Sequence, residues 1–270
     1  MSNEESQLSA AKLVAIELLE AAKGSEDLKN AGKTMGRSLS TIATTIENAL
    51  LPLAALNFGI QKAKDYFSGD FQRDFAEKIS EIPIDNIVDP KPSLAGPALQ
   101  GLSFCLDEAE LKDMYLNLLK TAVDSRVSGN AHPSFVEIIK QMDAEEARKF
   151  KIIAHASGLN PMVRFKKTIA TGGFIMLDKY VIDFIEKESG VKVVVDKFEQ
   201  MFENWQRLGL VESDFTRTSF AEGAYDWVEL NPLFINLKNK CEEGGEIEFD
   251  KGIYGLTKFG KTFVNSVGIV

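Results

Sequence analysis

PMVRFKKTIATGGFIML, residues 161–177, is where the texture of this 270-residue chain changes. Two β-rich runs flank Thr171-Gly172-Gly173, and a glycine pair between such runs spells a hairpin. Upstream of it helical spacing dominates, and downstream helices alternate with short extended stretches. The pattern predicts a mainly α protein, a helical N-terminal and middle bundle followed by an α+β winged-helix-like C-terminal module. The expected divisions are an N-terminal helical extension (1–50), a helical bundle (51–158) and the hairpin with its module (159–270).

Working downstream, DKYVIDFIEKESG (178–190) and VVVDKFEQMFENWQRLG (193–209) read as two helices. The second ends in Leu208-Gly209-Leu210-Val211, a helix C-terminus turning straight into a strand. YDWVELNPLFINL (225–237) reads as a further extended stretch. IYGLTKFGKTFVNSV (253–267) reads as a short strand and then a helix capped by Thr257. A helix ending "RLGLV", a two-stranded wing and a closing helix are the parts of a winged helix. The candidate recognition helix, 193–209 with Lys192 just before it, sets Asp196, Glu199 and Glu203 against Lys192, Lys197 and Arg207. DNA-reading helices present a cationic face, so such a module is better suited to protein contact.

Upstream, NAHPSFVEIIKQMDAEEARKF (130–150) carries two capping-box patterns, Ser134 with Glu137 and Asp143 with Glu146. Asp107 with Glu110 offers a third, ahead of a stripe of Leu111, Met114/Tyr115, Leu118/Leu119 and Ala122. SLAGPALQGLSFCL (93–106) reads as a buried helix whose small residues admit close neighbours. Residues 61–83 form a charged amphipathic helix around Phe67, Phe71 and Phe75, and 8–23 and 25–49 are helical by spacing.

Chemistry is scarce. His132, next to Pro133 and the Ser134 cap, could be a base or part of the joint between two helices. A base needs an orienting carboxylate and a nucleophile or metal, and the local spacing supplies neither, so the joint is preferred. His155 is read as structural likewise. The acidic clusters 107–110 and 143–146 are explained by capping and the helix dipole. The glycine pairs Gly172-Gly173 and Gly244-Gly245 lack a phosphate-loop frame, and no GxSxG nucleophile elbow occurs in the chain. Cys105 and Cys241 stand apart, as reduced thiols of a cytoplasmic protein would. The acidic start, MSNEESQLSAAK, does not read as an export signal. No catalytic residue, cofactor or metal site is expected, although carboxylates converging from separate elements, as in a two-metal nuclease, can hide in a single sequence. The net charge of −9 argues against a general affinity for nucleic acid.

One segment offers another reading. SLSTIATTIENALLPLAALNFGI (38–60) carries the single charge Glu47 and lies beside Gly32 and Gly36, a small-residue pair that suits close helix approach in membranes. Pro52 and the threonines favour a helix buried against the bundle, with Leu50, Leu53, Leu56 and Phe58 packed in the core; in the rival reading the same four face a membrane or a partner. Membrane insertion after a trigger is the alternative.

Several stretches resemble the bacterial abortive-infection alpha family: PSLAGPAL (92–99), ELKDMYLNLLKTA (110–122), HPSFVEIIKQ (132–141), NWQRLGLVES (204–213) and LTKFGKTFV (256–264). The resemblance spans roughly residues 50–267, and its most recognisable motif falls on His132, Pro133, Phe135 and Glu137. It implies defence against phage by shutting down or killing the infected cell, and it implies no particular reaction. The combined expectation is a cytoplasmic defence protein acting through a protein partner, phage or host, with homo-oligomerisation compatible. A membrane-disrupting effector using 38–60, and then a metal-dependent nuclease, are the rival readings.

Overall fold

The computed structural model describes residues 60–156, 158–169, 171–184, 195, 197–241 and 245–269. The helices read at 8–23 and 25–49, and the Leu50, Leu53, Leu56 and Phe58 set, lie outside the described residues. The chain forms two compact units, Met1–Lys149 with Phe263–Val270, and Phe150–Thr262.

In the first unit the amphipathic stretch after residue 60 is two helices, α1 (Ile60–Ser68) and α2 (Asp70–Ile79), parted at Gly69. The aromatic stripe survives the break. Phe67, Phe71 and Phe75 are buried, and the Phe71 and Phe75 rings, one turn apart, stack at 5.5 Å. α3 (Pro92–Phe104) starts on Pro92, a position where the missing N–H costs nothing. It packs against α4 (Ala109–Val123), whose expected stripe is buried throughout. A Cβ on Gly101 would collide with the Tyr115 ring, so glycine is what lets α3 and α4 approach. α5 (Ser134–Lys140) and α6 (Ala144–Ala154) follow.

Of the three capping boxes, one forms its cap bond. Asp143 Oδ1 accepts the Glu146 N–H at 2.7 Å. The α4 cap position is Glu108 and makes no side-chain bond; Asp107 is drawn instead to Lys62 of α1. The α5 cap position is Pro133, which has no side-chain acceptor to offer. The motif was right about where helices start and wrong about which side chain satisfies them.

The second unit overturns the fold class. It is built on one four-stranded antiparallel sheet, order β2-β1-β4-β3, which makes the protein a mixed α+β structure rather than a mainly α one with a winged helix. The strands are β1 (Asn160–Thr168), β2 (Phe174–Val181), β3 (Val211–Asp214) and β4 (Ile247–Leu256). The hairpin at Gly172-Gly173 is present, but it is no separate wing. The reason is β4, ten residues long, which pairs along β1 from Ile247↔Lys167 to Tyr254↔Asn160 and takes β3 on its other side. Only its last few residues, from Ile253, carry a strand signal in the sequence.

Two further segments are corrected. Asp178–Val181, read as the start of a helix, completes β2. Residues 225–237, read as extended, form a 3-10 turn at Asp226–Leu230 and then α8 (Pro232–Lys240). The local signal was there: Asn231 Oδ1 accepts the N–H groups of Leu233 and Phe234, and Pro232 opens the helix. One face of the sheet packs Val163, Phe165 and Ile247 against Tyr225, Trp227, Val228 and Phe234.

α7 (Phe198–Arg207) buries Phe198, Met201, Phe202 and Trp205. Its end is as expected: Gly209 has φ +73, Leu210 N–H returns to Trp205 O at 2.8 Å, and β3 starts two residues later. Thr257 donates to Gly209 O at 2.6 Å and accepts from Gly260 N at 2.8 Å, starting α9 (Lys258–Ser266) where the sequence placed it.

Candidate functional site

His132 lies on the surface of the first unit. Its Nδ1 accepts the backbone N–H of Ser134 at 3.1 Å and sits 2.6 Å from Ser134 Oγ. The ring therefore does the capping that Pro133 cannot do. Phe135, three residues on, is buried and meets Phe263 edge-on at 5.3 Å. Glu137 is exposed and pairs with Lys140 at 3.0 Å. The four motif residues thus share one helix start, where the histidine Nδ1 is held between the Ser134 hydroxyl and backbone N–H.

Burial pushes the Cys105 thiol up to about 12, which removes its nucleophilic form at neutral pH. His155 lies against Lys151 O one turn earlier. Among the described residues, no three His, Cys, Asp or Glu side chains gather as a metal site, and no helix is long and apolar enough to cross a membrane.

The second unit has a cavity of about 470 Å³. Its walls include Ile153 of α6, Asn160 at the start of β1, Asp183, Trp227 and Tyr254. Burial raises the Tyr254 phenol to about 12, so it stays protonated. This lining can enclose an apolar group.

The more distinctive surface is the outer edge of β2. The acidic helix α7 works inward against the second half of that strand. Glu203 pairs with Lys179 Nζ at 3.0 Å, Glu199 Oε2 accepts the Lys179 backbone N–H at 3.4 Å, and Tyr180 packs on Phe202 at 4.7 Å. Among the described residues, no strand pairs with the outer side of the first half. Phe174, Ile175 and Met176 are 54%, 52% and 36% exposed, three consecutive apolar side chains on an edge strand.

The direction of the backbone groups there follows from β1. Thr168 donates its N–H to Glu246 O at 2.9 Å, on the β4 side, while Ile169 donates to Gly173 O at 3.3 Å, on the β2 side. Thr168 stands opposite Phe174, so that pair exchanges no bonds, and the Phe174 N–H and C=O point away from β1. Met176, opposite Lys166 with no register shift between, points the same way, and Ile175 points inward. An apolar strand with outward donors and acceptors is a template for another strand.

Phe174, Ile175 and Met176 are not among the site residues expected from the sequence. Their signal was the loss of alternation in Phe174-Ile175-Met176-Leu177, which in an antiparallel sheet means burial on both faces or an unusual edge.

A family model described as abortive infection alpha matches residues 63–267, well over half of the chain. No curated protein and no solved structure matches it.

Proposed function

Because the chain belongs to the abortive infection alpha family, we propose that it serves bacterial defence against phage by binding a protein partner, phage or host, rather than by a reaction of its own. The observation that carries this reading is the open β2 edge. Monomeric proteins blunt their sheet edges with charge, proline or cover, because bare ones recruit further strands. Here the strand keeps Phe174, Ile175 and Met176 in water instead. Strand addition supplies affinity through the backbone and specificity through alternate side chains.

The test is a phage plating assay with Ile175→Lys and Phe174→Lys. Neither residue is buried, so both variants should express and melt like the parent while protection falls to the level of cells without the protein. Full protection by well-folded variants of both kinds would remove the edge from the function.

A further inference from the structure

The geometry points to a second copy of this chain as the occupant of the β2 edge, paired antiparallel about a two-fold axis at Ile175. The inference rests on the reading of that edge as a docking strand: the second copy occupies it at rest, and a phage or host strand would act by displacing that copy. In an antiparallel pair, bonds pass only between residues whose backbone groups face the partner. Phe174 and Met176 face outward and Ile175 between them faces β1. Setting Phe174 opposite Met176 of the second copy meets that requirement, and the two-fold axis repeats it. Two outward pairs then close on each other with Ile175 against Ile175 between them.

Neighbouring registers fail for reasons visible in the strand. Moving the axis toward Val181 brings in Lys179, whose N–H already goes to Glu199. Moving it toward the turn runs the pairing into Gly172 and Gly173, at φ +87 and +95, where a strand cannot continue. In the favoured register, the residues opposite Leu177 and Asp178 are Gly173 and Gly172 of the other copy. They bring no side chain toward α7.

Side chains agree with the register. Phe174 lies beside Met176 of the other copy and Ile175 beside itself, apolar cross-strand pairs of the kind that stabilise sheets. The chain carries −9, so self-association needs a contact free of like charges. Phe174 to Leu177 are uncharged. Lys166, 5.5 Å above the Phe174 ring, is already paired with Asp250 and Glu248. The Lys167 strands of the two copies would be three strand spacings apart, roughly 14 Å, beyond the screening length at physiological salt. The product is a continuous eight-stranded sheet, β3-β4-β1-β2 followed by its symmetry mate.

The test uses the full chain in sedimentation velocity and light scattering. Wild type should have the mass of a dimer. Met176→Pro deletes an N–H that points outward, so it spares the β1–β2 ladder and should melt near wild type while dimerising at least about tenfold more weakly. Ile175→Cys, made with Cys241→Ser, should lock as a disulfide dimer on mild oxidation, since facing residues of such a pair have Cα atoms about 4.5 Å apart. Lys179→Cys in the same background should not. A monomeric wild type, or a dimer that Met176→Pro leaves intact, overturns the pairing. If the wild type is monomeric yet Ile175→Lys loses protection, self-pairing is overturned and the edge keeps a different protein partner. If Met176→Pro is monomeric and still protects, self-pairing stands and the functional reading is overturned.

Discussion

Arg126 closes on Asp124 through two parallel bonds, Nε to Oδ1 at 2.8 Å and Nη2 to Oδ2 at 2.6 Å. Asp124 Oδ1 also accepts the Arg126 backbone N–H at 3.1 Å, and the Asp124 backbone bridges to Ile87. The guanidinium bonds hold the carboxyl below the usual carboxylate range. A depressed folded pKa stabilises above the unfolded value, about 3.9, and that stability is lost as pH falls through the folded value. Asp124→Asn should therefore cost ~1–2 kcal/mol at neutral pH, discounted because Arg126 is half exposed. The gap to wild type should narrow below about pH 4. Urea titrations at pH 7 and pH 3.5 measure both, and a gap that is constant with pH would contradict the ion pair.

Gly101→Ala should destabilise by ~1–3 kcal/mol, because its new methyl would meet the buried Tyr115 ring. Shortening the ring should relieve that strain, so Gly101→Ala with Tyr115→Leu should cost less than the sum of the two single changes. Additive costs in a thermal double-mutant cycle would place the strain elsewhere.

His132→Gln should leave phage protection at the wild-type level and cost at most ~1 kcal/mol, the scale of a helix cap. Loss of protection in a variant that melts normally would make the histidine chemical rather than structural.

Duplex DNA of random sequence should bind more weakly than the usual non-specific range, about 10⁻⁴ to 10⁻⁶ M at physiological salt. The acidic side chains Glu199 and Glu203 are turned onto β2, and the chain as a whole is acidic. A gel shift at low micromolar protein in that salt would contradict this.

Where structure depends on a few adjacent residues, it was legible in the sequence. Gly172-Gly173 marked the hairpin, Leu208-Gly209-Leu210 marked the end of α7, and Thr257 marked the start of α9; each works through bonds or dihedrals within a few positions. The capping boxes show the limit of that rule, since Asp107 had a competing cation in Lys62, 45 positions earlier. Residues 178–181 have no periodicity long enough to separate strand from helix, and their pairing with β1 settled it.

The sheet order was beyond local reading altogether. Arg164 bonds Asp250 from 86 positions away, and it is this β1–β4 pairing that takes one side of β1 and leaves β2 as an outer strand. By itself, the sequence determined that residues 174–177 are apolar and β-prone. Only the tertiary structure decided that they lie on an open edge, because exposure of a strand depends on which distant strand claims its neighbour's other side.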